Sequence, residues 1–204
     1  MKFAELNTGA KMPMLGLGVY RFENAEGKKA IHTALEAGYR SIDTAAAYEN
    51  EKLVGEVLRE SKINRAEIFV TTKLSNPAQR ENKIEEEFAA SLENLGLDFV
   101  DLYLMHWPVP EKFCESWRVM QKFFFDGRAK AFGVSNFLPR HLSAIFSDEN
   151  APCERSLSRK NENATVIPAV NQIELHPRLT QKPLLEACRE KNIAPQSWSP
   201  LGGG

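Results

Sequence analysis

The chain has 204 residues, 43% of them apolar and 26% charged, which suits one well-buried domain spanning residues 1–204. A formal net charge of −1 gives no electrostatic reason to expect nucleic acid or an anionic membrane surface as a partner. No apolar run reaches the ~18 residues of a spanning helix, and the N-terminus MKFAELNTGAKMPMLGLG lacks the continuous apolar core of a secretory signal, so a cytoplasmic location is expected.

In chain order, Phe3 to Leu6, the turn NTGAKMP and Met14 to Val19 predict a short β-hairpin. A rhythm follows. SIDTA (41–45), IFVTTK (68–73), VDLYLMH (100–106), AFGVSNF (131–137), AVNQIEL (169–175) and IAPQSWS (193–199) are short apolar runs separated by amphipathic helical patterns. Glu26 to Ala37 sets Ala30, Ile31, Ala34 and Leu35 on one face, with Gly38 as a stop. Asn50 to Glu60 repeats the pattern with Leu53, Val54, Val57 and Leu58. Asn82 with Glu85 reads as a capping box opening a helix whose stripe is Ile84, Phe88, Leu92 and Leu95, closed by Gly96. Trp117, Met120, Phe123 and Phe124 form a further stripe before the turn at Asp126–Gly127.

Strand ends near 43, 73, 106, 136, 172 and 199 recur at about 30 residues, the length of one strand and one crossover helix. Strands apolar on both faces belong to a parallel sheet covered by helices, either a doubly wound open sheet or a (β/α)8 barrel. No GxGxxG follows the first strand, which weakens the open dinucleotide-binding sheet. Residues 147–165 break the rhythm. They are almost wholly polar and read as a mobile surface insertion, with a partner-binding or substrate-covering loop as the second reading. Cys114, Cys153 and Cys188 are odd in number and widely spaced, so neither a disulfide framework nor a metal site is expected.

Parallel barrels carry their chemistry at the C-terminal ends of the strands. There stand Asp43, with Tyr48 five residues on, then Lys73, His106 with Trp107, Ser135 and Asn136, Gln172, and Trp198 with Ser199. Singly, each has a structural explanation: a cap, a half-buried ring, a surface charge, a core histidine. Together, four ionisable groups at successive strand ends converge, and they suit carbonyl reduction. A hydride reaching the carbonyl carbon leaves negative charge on oxygen, which needs a proton. A free tyrosine donates poorly at neutral pH, and a lysine ammonium beside it favours the tyrosinate. Tyr48 is then the acid, Lys73 its tuner, Asp43 the anchor of the lysine, and His106 the group that orients the carbonyl. The hydride must come from a cofactor, since no side chain carries one. Ser135, Asn136 and Gln172 offer amide and hydroxyl groups for a nicotinamide carboxamide, and Trp198 an aromatic face for its ring.

The stretches MPMLGLGVY (12–20), GYRSIDTAAAYENEKLVGE (38–56), VTTKLSN (70–76), DLYLMHWP (101–108), GVSNF (133–137), PAVNQIELHP (168–177) and SPLGGG (199–204) resemble the aldo-keto reductase family along essentially the whole chain. The resemblance implies a (β/α)8 barrel closed at its base by an N-terminal hairpin, reduction of aldehydes and ketones, NADPH as cofactor with NADH left open, and a monomer. It sets the family's Asp–Tyr–Lys–His tetrad on Asp43, Tyr48, Lys73 and His106. It implies cofactor contacts at Val19, Tyr20, Asp43, Ser135, Asn136, Gln172, Trp198, Ser199 and Leu201, and substrate contacts at Tyr20, Tyr48, His106 and Trp107, with no metal. Four features depart from the family pattern, the insertion at 147–165 being one. GLGVY puts Val19 and Tyr20 where Thr and Trp are usual, which changes the expected pocket shape. Trp198 replaces the usual stacking Tyr. SPLGGG is the family's loop after the seventh strand, so the chain is expected to be an incomplete barrel lacking helix 7, strand 8 and helix 8. Exposed edges on strands 1 and 7 would then make these residues alone unstable or weak in NADPH binding. The alternatives to an active reductase are a weak or inactive truncated barrel and a nicotinamide-binding sensing or scaffold subunit.

Overall fold

A computed structural model describes residues 1–146 and 167–202 of the protein. The chain opens with a two-stranded antiparallel hairpin, β1 (Phe3–Glu5) and β2 (Lys11–Pro13). A seven-stranded parallel sheet follows in strict chain order: β3 (Leu17–Gly18), β4 (Ser41–Asp43), β5 (Phe69–Leu74), β6 (Leu102–Met105), β7 (Phe132–Ser135), β8 (Val170–Glu174) and β9 (Ala194–Trp198). The helices are α1 (Asn24–Glu36), α2 (Glu51–Glu60), α3 (Asn76–Glu81), α4 (Ile84–Leu95), α5 (Phe113–Phe125), α6 (Pro139–Ile145) and α7 (Lys182–Glu190). This is an incomplete (β/α)8 barrel with an N-terminal hairpin. The insertion read at 147–165 lies outside the described residues. Among the described residues no helix is long and apolar enough to cross a membrane.

Strand alternation builds two apolar layers. Along β5 and β6, Val70, Leu74, Tyr103 and Met105 join the cluster formed with the helices, where Phe88, Trp117 and Phe123 are fully buried. Burying each such side chain contributes about 1.5–3 kcal/mol. The alternate residues Phe69, Leu102 and Leu104 pack with Leu6 and Met12 of the hairpin in a second cluster. The hairpin thus closes the base of the sheet with apolar side chains. The same alternation carries Lys73 to the side of Phe69, two pleats further along β5. The helical layer is tight where α2 meets α4. A Cβ added at Gly55 would stand 2.4 Å from the Leu95 carbonyl oxygen.

Two sequence expectations are corrected. The hairpin closes earlier than Met14 to Val19 implies. Gly9, at φ +82°, reverses the chain between Leu6 and Ala10, so Lys11–Pro13 is the return strand. Leu17–Gly18 instead pairs in parallel with Ile42–Asp43 as the first strand of the main sheet. Asn82 does not open a capping box. Ser75 and Pro77 start α3, and Asn82 ends it in the left-handed region at φ +55°, leaving Lys83 before α4 without a side-chain cap.

Candidate active site

Asp43 ends β4, and a short 3₁₀ turn, Ala46–Tyr48, brings Tyr48 back beside it. Lys73 lies near the end of β5 with its side chain fully buried. Its ammonium pairs with Asp43 Oδ1, donates to the Thr44 carbonyl at 2.9 Å, and stands 3.4 Å from the Tyr48 hydroxyl. The other Asp43 oxygen accepts from Gln172 Nε2 at 2.7 Å. A buried ion pair is tolerable only when its remaining hydrogen-bonding capacity is met, and here both carboxylate oxygens are engaged. The Tyr48 ring meets the His106 ring edge-on at a centroid distance of 5.5 Å and the exposed Tyr20 ring at 5.0 Å. Trp107, the chain neighbour of His106, is exposed.

His106 follows β6 in a half-buried position. Burial, with the Lys73 charge as a lesser cause, lowers its pKa from 6.5 to about 4. The imidazole is therefore neutral at pH 7. The linkage has a definite sign. The unfolded chain takes up a proton near pH 6.5 and the folded protein only near 4, so stability is lost as pH falls through that window and is constant above it. The loss is on the order of 3 kcal/mol. Urea denaturation at pH 7 and at pH 4.5 is expected to show that difference shrinking in His106→Gln relative to the parent. An equal acid loss in both proteins would remove the effect from His106.

Asn136 follows β7 at φ +63°, a left-handed conformation asparagine tolerates. Its Nδ2 donates to the His106 carbonyl and to Ser135 Oγ, both at 3.0 Å, and its Oδ1 accepts from Trp198 Nε1 at 3.0 Å. Ser135 Oγ donates to the Gln172 carbonyl at 2.9 Å. Gln172 Nε2 also donates to Gln196 Oε1 at 3.0 Å, which leaves Gln172 Oε1 as the acceptor with no partner among the described residues. So Asp43, Tyr48, Lys73, His106, Ser135, Asn136, Gln172 and Trp198 form one bonded or ring-contacting network, and Tyr20 and Trp107 stand at its rim. Val19 differs: it is fully buried and offers a ligand no accessible surface. Ser199, at φ +47°, and the almost fully exposed Leu201 make no side-chain hydrogen bond to the network among the described residues.

Three residues that sequence reasoning missed support this network. Asn50 is buried; its Oδ1 accepts from Thr44 Oγ1 at 2.6 Å and its Nδ2 donates to the Val19 carbonyl at 2.7 Å. Gln196 receives Gln172, and Gln79 donates to the Trp107 carbonyl at 3.0 Å. Gln196 had a usable signal, as a polar residue two before Trp198 on the same strand. Among the described residues no group of three or more His, Cys, Asp or Glu could hold a metal ion.

The sequence matches the Aldo/keto reductase family over residues 13–204. The chain belongs to that family. It is 44% identical to a 9,11-endoperoxide prostaglandin H2 reductase of Trypanosoma cruzi, covering 98% of this chain and 65% of that protein. It is 42% identical to a glyoxal reductase of Bacillus subtilis, covering 98% and 67%. It is 46% identical to a morphine 6-dehydrogenase of Pseudomonas putida, covering 97% and 62%. The chain thus spans about two thirds of the length of these aldo-keto reductase relatives. Its fold matches the crystal structure of an aldo/keto reductase from Brucella melitensis with a TM-score of 0.86 at 42% identity, over 98% of this chain and 73% of that one. It matches a Bombyx mori aldo-keto reductase in complex with NADP with a TM-score of 0.81 at 34% identity, over 97% and 66%.

Proposed function

We propose that the protein reduces small aldehydes or ketones to alcohols with a nicotinamide cofactor, NADPH by preference, using Tyr48 as the proton donor. The observation that carries this reading is the buried Lys73 ammonium, paired with Asp43 and 3.4 Å from the Tyr48 hydroxyl. A positive charge there stabilises the negative charge that develops on the phenol oxygen as its proton leaves. Asp43 keeps the lysine aimed. Neutral His106 can donate an N–H to the substrate oxygen without competing as a stronger acid, and the Tyr20 and Trp107 rings supply an apolar rim for the rest of the substrate.

The residues present fit a nicotinamide. Trp198 offers a flat aromatic face whose indole N–H is already fixed on Asn136, and Gln172 Oε1 is free to accept from a carboxamide N–H. The Asn136 amide is committed to His106, Ser135 and Trp198, so its part in cofactor binding is to hold those groups in place. A reduced nicotinamide, when bound, supplies the hydride. The NADP-bound relative and the glyoxal reductase support the choice of cofactor and of a small carbonyl substrate.

The test is NADPH consumption by the full-length protein against a panel containing glyoxal, aliphatic and aromatic aldehydes and ketones, with alcohol formation measured in parallel. Stoichiometric consumption with at least one of them is expected. Protein that binds NADPH yet consumes none across the panel would overturn the proposal.

A further inference from the structure

Gln79 lies outside the network that touches Tyr48, yet it is fully buried on α3 beneath the rim. Its Nε2 donates to the Trp107 carbonyl at 3.0 Å and to the Ser75 carbonyl at 3.5 Å. Its Oε1 is buried with no partner among the described residues. A buried amide with one end unpaired costs more than an apolar side chain of similar size. Packing alone therefore does not account for a glutamine at this position, whereas donation to Trp107 does.

The adjoining carbonyl, that of His106, is held by Asn136 Nδ2. His106, whose ring meets Tyr48, and its chain neighbour Trp107 are thus each held at the carbonyl. Gln79 is in turn anchored. Ser75 caps α3 by accepting from the Ala78 N–H at 3.2 Å, and Glu87 of α4 accepts from the Ser75 N–H at 2.6 Å and from its hydroxyl at 2.5 Å. The brace runs from α4 through the Ser75 turn and α3 to Trp107.

We infer that Gln79 is a positioning residue for carbonyl reduction, holding the turn that carries the His106 imidazole against Tyr48 through its bond to the Trp107 carbonyl. The kinetic consequence rests on the reductase reading; the structural consequence does not. Gln79→Met keeps the side-chain length and removes the donor. In the full-length protein it is expected to lower kcat/KM for aldehydes by about 10- to 100-fold, as small misplacements of reacting groups do. The cofactor Kd should stay within about twofold, because Gln79 touches none of the groups that fit the nicotinamide.

The deciding readout is the NMR titration of the His106 imidazole, which needs no substrate. Releasing the Trp107 carbonyl loosens the turn that carries His106, admits water and should move the titration upward by about half a unit or more. A folded Gln79→Met protein with an unmoved His106 titration overturns the inference, whatever happens to its Tm. If that variant does not fold, Ser75→Ala loosens the anchor while keeping Gln79, and is expected to move the titration the same way by less; no movement overturns the inference equally. A parent protein that reduces no carbonyl removes the reductase reading alone, and the titration still decides the brace.

Discussion

Tyr48→Phe is expected to lower kcat for carbonyl reduction by about 10²- to 10⁴-fold, the range a positioned proton donor contributes. The variant keeps the ring that packs edge-on against His106 and tilted against Tyr20, and loses only the hydroxyl 3.4 Å from Lys73. Folding and cofactor affinity should therefore change little, and kcat and kcat/KM should fall together, as they do when an interaction made only in the transition state is removed. Steady-state kinetics with a titration of NADPH against intrinsic tryptophan fluorescence would check this. Retention of more than a tenth of the parent kcat would remove Tyr48 as the donor.

Lys73→Met carries the second large effect, and it acts on stability as well as rate. Removing the ammonium leaves Asp43 with Gln172 as its remaining described side-chain donor, in a site where the carboxylate is only slightly exposed. Stranding one member of a buried ion pair typically costs about 3–5 kcal/mol. The rate should fall about 100-fold or more, because the charge beside the Tyr48 oxygen is lost. The two effects separate in the double variant Asp43→Asn/Lys73→Met. Neutralising the carboxylate should recover most of the stability while turnover stays low. Recovery of turnover with stability would show that Lys73 serves only the fold.

Five of the six longer parallel strands lie within their expected runs and β5 extends one residue past its own, to Leu74; β4 to β8 are legible as short runs buried on both faces, while β9 is only partly buried. The two-residue strand β3 is not, since Leu17–Gly18 is too short to carry a period and takes its identity from pairing with β4. Nor is α3, whose six residues around Pro77 have no apolar stripe. At the site, the meeting of Asp43, Tyr48, Lys73 and His106 follows from strand ends sharing one rim of a parallel sheet. The supporting amides do not follow. Asn50 and Gln79 each reach a backbone carbonyl far along the chain, 31 and 28 residues away, and such partners depend on how loops fold over the rim. The commitment of the Asn136 amide to Trp198 likewise depends on the indole N–H, a donor that strand spacing alone does not aim.

The strict chain order of the main sheet has a consequence for how the molecule comes into being. Every strand of the main sheet pairs with its chain neighbours, so each new pairing joins segments near each other in sequence rather than the two ends of the chain. Asp43, Tyr48, Lys73 and His106 are all synthesised before residue 107, on or just after the three consecutive strands β4, β5 and β6. The Gln172 bond to Asp43 spans 129 residues, and the Asn7 bond to the Asn192 carbonyl spans 185. During synthesis from the N-terminus onward, these four side chains are made before Gln172 and Asn192. The clasp that steadies Asp43, and the tie between the N-terminal turn and the turn after α7, can close only afterwards.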